Sequence, residues 1–250
     1  MHRGRLIAGF LGLVTSGLAA DADLLVRQAL AAEAHFDTRV ALRLFQQAAA
    51  IRPNDAVILQ KISRQYSDAT ADTQGVTEKK RLCTEALAYA RRAAELNPQS
   101  AVNVLSLAIC YGKLGLYSDT RTKIEFSRQV KDYAEQALAL DPNYDYAHHV
   151  LGRWNYEVAT LGLGPRVIVR LIYGGLPPAS TAEAVRQLRR ATELSPHLPA
   201  HRVEFGFALL ADGQRDAARH AFEQALEMPP VEKYDAEAFR RARAALEDLR

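Results

Sequence analysis

Five times in this chain an alanine-rich stretch runs into a proline: ALRLFQQAAAIRPND, ALAYARRAAELNPQS, YAEQALALDPNYDY, AVRQLRRATELSPHL and AARHAFEQALEMPPV. Within each stretch the apolar residues fall three and four apart, which places them on one face of a helix. The proline then ends the helix, because its ring excludes both the backbone N–H and the preceding turn. Units of this kind cannot bury their apolar face alone, so they stack. The expected fold is all-α, a helical solenoid whose product is an extended concave surface rather than a single cleft. A chain that is 48% hydrophobic and 24% charged suits one such folded domain.

The last unit identifies the repeat. Counted back from Pro230, the residues Phe205, Gly206, Leu209, Gly213, Ala218, Phe222 and Ala225 occupy the key positions of a tetratricopeptide unit, whose length is about 34 residues. Gly206 and Ala218 are small where two helices cross, Phe205, Leu209 and Phe222 fill the space between them, and Gly213 lets the chain turn. Upstream, the closing prolines Pro53, Pro98, Pro142 and Pro196 stand 45, 44 and 54 residues apart, so three units carry insertions. Longer helices or extra turns absorb such surplus without breaking the stack. The expectation is a tetratricopeptide-repeat solenoid of about five helix pairs, closed by a capping helix after Pro230.

The start of the chain, MHRGRLIAGFLGLVTSGLAADAD, has a basic beginning, an apolar run from Leu6 to about Leu18 and small residues at Ala19, Ala20 and Ala22. It reads as an export signal over 1–20, followed by the solenoid over 21–230 and the cap over 231–250. The expected location is therefore periplasmic or secreted, with an N-terminal membrane anchor as the alternative. The apolar run is shorter than the roughly 20 residues a spanning helix needs. A net charge of +3 that includes Arg3 and Arg5 gives no basic face for nucleic acid.

Three segments carry a more specific likeness: KRLCTEALAYARRAAELNPQSAVNVLSLAICYGKLG, VKDYAEQALALDPNYDYAHHVLGRWNYEVA and YGGLPPASTAEAVRQLRRATELSP. Together they resemble the tetratricopeptide domain of the regulator of microtubule dynamics family, roughly from Lys80 to Pro229. Trp154, the His148-His149 pair and the paired proline of GGLPPAS weigh most, since a generic repeat requires none of them. The resemblance implies a helical scaffold whose eukaryotic members are microtubule-associated or organelle-contact proteins. It also implies a phospholipid-binding groove, reported for one branch.

In a tetratricopeptide unit the first helix lines the concave face. By register the expected groove residues are Leu105, Ile109 and Lys113 in the third unit, Tyr146, His149, Arg153 and Tyr156 in the fourth, and Val203, Phe207 and Leu210 in the fifth. Apolar walls with a few cations suit either a protein or peptide segment or an acyl chain with an anionic head. The alternative is that these positions are buried as additional core. The insert at 165–176 is too apolar for a solvated loop; Val167, Ile168, Leu171 and Ile172 are expected to form a lid over the groove, with convex-face packing or a membrane-touching edge as alternatives.

No catalytic or metal constellation stands out, and no cofactor is expected. His148 and His149 are adjacent and diverge by about a hundred degrees on a helix, and His197 and His201 straddle Pro199. Asp141, Asp145 and Glu157 read as caps or surface carboxylates. Cys83 and Cys110 fall level on packed helices, so a disulfide is geometrically open; two buried thiols are the favoured reading. In the tail, Phe239, Ala242, Leu246 and Leu249 share one helical face and the arginines lie mostly on a solvated one, with Asp235 as N-cap. The sequence thus points to an exported, non-enzymatic scaffold that binds a protein or peptide in its groove, with phospholipid binding or transfer as the alternative.

Overall fold

The computed structural model describes residues 8–162, 164, 169–172 and 174–249. It is an all-helical stack of five antiparallel pairs and a cap: α1 (Ala8–Ala34) with α2 (Thr38–Ile51), α3 (Ala56–Ala69) with α4 (Val76–Leu96), α5 (Ala101–Gly115) with α6 (Thr120–Leu140), α7 (Asp145–Ala159) with α8 (Thr181–Leu194), α9 (Pro199–Ala211) with α10 (Arg215–Leu226), and finally α11 (Asp235–Asp248). Each helix pairs with its successor, and α3, α5, α7 and α9 also touch in series along one side.

The punctuation follows the sequence. The second helix of every pair ends within a few residues of its proline, at Ile51, Leu96, Leu140, Leu194 and Leu226. New helices begin on side-chain caps: Asp55 accepts from Val57 N and Ile58 N, Ser100 from Asn103 N, Asp119 from Thr122 N and Ser180 from Glu183 N. Much of the surplus of the second and third units is helix: α4 and α6 each run 21 residues, half as long again as α2. The insertion of the fourth unit falls after Ala159 and before Thr181, and its described residues 164 and 169–172 are helical.

The core is continuous between the pairs. Alanines of the second helices are fully buried at seven-residue intervals, Ala41 and Ala48, Ala86 and Ala93, Ala184 and Ala191, Ala218 and Ala225. Side chains that small let the helix axes approach closely, and Phe45, Ile62, Leu105, Leu188 and Phe222 fill what is left. Two glycines mark the tightest crossings. A Cβ on Gly152 would lie 2.5 Å from Leu188 Cγ, and one on Gly206 would lie 2.5 Å from Phe222 Cε1. Gly213, at φ 81°, turns the chain between α9 and α10 as its position suggested. Trp154 packs between α7 and α6, its Nε1–H donating to the Ser127 carbonyl at 2.8 Å.

Cys83 and Cys110 are both buried free thiols, so no disulfide joins them. The Cys110 thiol lies 3.5 Å from Ser63 Oγ, and burial pushes the Cys83 thiol up to about 11. Asp235 is no N-cap: it stands in the first turn of α11, and its Oδ2 turns back to accept from Val231 N and Glu232 N, both at 2.6 Å.

The crossing at Gly206 is directly testable. Gly206→Ala gains about 1 kcal/mol of helix propensity but forces Phe222 out of its seat, at about 1–3 kcal/mol. A net loss of about 1 kcal/mol or more is expected in urea unfolding, whereas Gly115→Ala, with open space around it, should be neutral or stabilising.

Candidate functional site

The concave side of the stack is built from one stripe of side chains on each first helix. On α5 the stripe is Val102, Ser106, Ile109 and Lys113; on α7 it is Tyr146, His149, Arg153 and Tyr156; on α3 it includes Val57, Gln60, Arg64 and Asp68. These spacings of three and four keep each set on one helical face. Val57, Val102 and Ile109 are exposed, at 65, 43 and 36%. Gln60 Nε2 donates to Ser106 Oγ at 3.1 Å and so ties the α3 and α5 stripes together.

The groove already holds a piece of its own chain. After α10, residues Val231–Tyr234 cross the concave side and meet four earlier elements. Glu232 Oε1 accepts from Tyr146 Oη at 2.6 Å and from Arg64 Nη2 at 3.1 Å. Tyr234 Oη accepts from Lys113 Nζ at 2.7 Å and donates to the Ser67 carbonyl at 2.9 Å, with the ammonium 4.5 Å from the ring centroid. Lys233 donates to Thr38 Oγ1 at 2.5 Å and pairs with Asp72. Burial pushes the Lys113 ammonium below its ordinary value, against the pull of Asp68.

Beside this lies a buried ionic centre. Glu204, on α9, is almost fully enclosed; its Oε2 accepts from Tyr156 Oη at 2.5 Å and its Oε1 pairs with Arg241 of α11, with Arg153 Nη1 at 3.7 Å. Burial works to raise its pKa, but Arg153 and Arg241 outweigh it and hold the carboxylate at about 2. His201 joins the same region: its Nε2 is 3.1 Å from Asp145 Oδ2 and its Nδ1 is 3.0 Å from His149 Nδ1. Burial, and then the neighbouring His201, lower the pKa of His149 to about 3, so this imidazole is neutral. His148 points the other way, to Gln187 and the Pro142 carbonyl, as adjacency on a helix requires.

The expected groove residues therefore divide. Ile109, Lys113, Tyr146, His149, Arg153 and Tyr156 do face the concave side. Leu105 and Val203 do not, being fully buried in the cores between pairs. Leu210 is half-buried against the α9–α10 core, and Phe207 lies edge-on to Phe222 and under the Arg241 guanidinium at 4.4 Å. Packing of α11 onto α9 covers that end of the groove, which register alone does not reveal. For the same reason Arg241 is not on a solvated face.

Of the expected lid, Val167 and Ile168 lie outside the described residues. Leu171 and Ile172 are 79 and 66% exposed, and Ile172 sits beside Arg121, Ile124 and Arg128 of α6, a second helix. Arg128 Nη2 donates to the Gly175 carbonyl at 2.6 Å and fixes this segment there, so these two residues do not roof the groove. Sequence reasoning missed Glu204, whose signal was a lone carboxylate in the apolar run VEFGFALL. It also missed Arg64, His201 with Asp145, and the Glu232–Tyr234 segment, which carries no periodic signal. Among the described residues no group of His, Cys, Asp or Glu could hold a metal ion.

A family model described as regulator of microtubule dynamics protein 1-3 matches residues 20–250. Regulator of microtubule dynamics protein 1 of Bos taurus is 33% identical over 145 residues, covering 57% of this chain and 45% of that protein. Regulator of microtubule dynamics protein 3 of Xenopus laevis is 29% identical over 181 residues, or 72% of this chain and 39% of that protein. The chain thus spans less than half the length of these relatives. A thermophilic TPR protein of Thermus thermophilus has the same fold, with a TM-score of 0.65 over 90% of this chain and 99% of that one at 20% identity.

These relatives overturn the expectation of an exported periplasmic or secreted protein, because they are animal regulators of microtubule dynamics. That expectation rested on the N-terminal apolar run; α1 spans Ala8–Ala34, and beyond the run Ala22 and Ala29 are buried. Among the described residues no helix is long and apolar enough to cross a membrane.

Two side chains should dominate the response to acid. The folded pKa of His149 lies below the ordinary 6.5, so its contribution is full above pH 6.5 and is lost as the pH falls toward 3. Glu204 contributes above its ordinary 4.5 and loses that contribution as the pH falls toward 2. Urea midpoints should decline from pH 7 to pH 5, and His149→Gln should flatten that decline. Glu204→Gln removes the carboxylate that faces Arg241 and Arg153; since both guanidiniums reach solvent and Arg153 keeps Glu157, it should cost about 1–3 kcal/mol at pH 7.

Proposed function

This chain belongs to the regulator of microtubule dynamics protein 1-3 family, and on that premise we propose that it is a non-catalytic scaffold holding a segment of a protein partner against its concave face. The observation that carries this reading is the way three successive first helices grip a polypeptide there, through Arg64, Lys113 and Tyr146. Side-chain donors spaced along a trough suit backbone carbonyls and carboxylates of a peptide. An acyl chain instead needs a continuous apolar cavity, and charged and hydroxyl groups interrupt the face at every helix.

The exposed Val57, Val102 and Ile109 supply the apolar part of such an interface, since large side chains left in water beside convergent polar groups are a common mark of one. The relatives' names make polymerising tubulin the first partner to try. Turbidity and co-sedimentation with the purified chain should reveal an effect on assembly or a bound fraction. Ile109→Asp places a charge on an already exposed position and should weaken partner binding ten-fold or more while leaving the thermal midpoint nearly unchanged. Equal binding by wild type, Ile109→Asp and Val57→Asp would move the partner off the concave face.

A further inference from the structure

We propose that residues Glu232-Lys233-Tyr234 are a built-in stand-in for the partner. The groove takes from another protein a turn carrying a carboxylate, an ammonium and a phenol in consecutive positions, and admits it when its own clip leaves. This rests on the concave face being the binding surface and adds the chemistry of what binds there.

The clip is built for presentation. Asp235 Oδ2 holds the Val231 and Glu232 amides at 2.6 Å, and Asp235 N donates to the Glu232 carbonyl at 3.1 Å, so the three following side chains leave a closed turn in fixed directions. Each finds a different receptor: the carboxylate meets Arg64 and Tyr146, the ammonium meets Thr38 and Asp72, and the phenol meets Lys113 and the Ser67 carbonyl. These receptors come from α2, α3, α5 and α7 and the turn after α3, so the site belongs to the stack and not to the clip.

The seat is polar and incompletely filled. The clip has no aliphatic anchor, since Val231 is exposed, and its one large ring, Tyr234, is held by its hydroxyl and by the Lys113 ammonium over its face. A cavity of about 210 Å³ remains between the clip, α1 and α3, lined by Leu30, Phe36, Glu33, Arg64 and Asp68. Asp235 Oδ1 is buried without a hydrogen-bond partner, a cost carried by the turn that presents the clip. A segment only needed to seal the groove would gain more from apolar burial. Hydrogen bonds of modest net worth suffice here because the tether holds the clip at an effective concentration on the order of millimolar. A partner must outcompete that concentration or reach the cavity the clip leaves open.

The test uses the full chain and a fluorescein-labelled peptide of residues 229–236, PPVEKYDA, read by anisotropy. Glu232→Ala with Tyr234→Ala vacates the site and leaves the Asp235 turn in place; circular dichroism checks that it is folded. The peptide should bind this variant at least ten-fold more tightly than wild type, and Arg64→Ala added to it should abolish binding. If the double variant does not fold, wild-type chain in millimolar peptide replaces it, and hydrogen exchange over 229–236 of the protein should rise as the clip is displaced.

A folded double variant that binds the peptide no better than wild type would overturn the stand-in and make the clip a structural latch. If Ile109→Asp still weakened partner binding in that case, the concave-face reading would survive. Were neither variant to change any binding, both would fall. Tight peptide binding that ignored Arg64→Ala would also overturn the assignment, since it would place the peptide elsewhere.

Discussion

Everything in this molecule hangs on how closely two helices can approach within each pair. Alanines recur at buried positions of the second helices, and on the first helices Gly152 and Gly206 face Leu188 and Phe222 of the second helices opposite. Small residues on one side and large ones on the other interdigitate at the density of a solid, and the resulting crossing repeats from pair to pair. A repeated crossing makes a superhelix, and a superhelix has an inside. The concave face is thus a consequence of alanine spacing before any residue on it has been chosen.

What lies on that face is chemically unlike the interior that creates it. Glu204 is held ionised in a closed setting by Arg153, Arg241 and the Tyr156 hydroxyl, and Asp145, His201 and His149 form a second polar chain alongside. Burying such groups costs more than burying leucines unless each finds its partner. Here the partners come from α7, α9 and α11, so the network ties the cap to the last two pairs in one geometry. The clip performs the same service over a longer distance, joining the residues after α10 to Thr38 and Asp72 near the first pairs.

Legibility in the sequence followed the range of the interactions. Much of the surplus of the second and third units extends α4 and α6 at their N-terminal ends, ahead of the buried positions that begin at Leu82 and Ile124. On α7 the spacing of Tyr146, His149 and Arg153 puts them on one helical face, which is legible from sequence because it depends only on residues a turn apart. Register failed at Leu105 and Val203, which lie one step around the helix from the groove, and at Glu204, whose exposure was decided by α11. The expected location failed as well, because it was read from the N-terminal apolar run while the relatives are animal regulators of microtubule dynamics.

By itself the sequence determined the helices, their ends and their pairing, because prolines, caps and apolar spacing act between residues at most a few turns apart. Only the tertiary structure decided what occupies the concave side. The contacts of Glu232, Lys233 and Tyr234 join residues up to 195 positions apart, and nothing local marks PPVEKYD as a segment that folds back. The accumulated rotation of five pairs brings the end of the chain to its beginning. That rotation is a sum of small packing angles, which no single stretch of sequence contains.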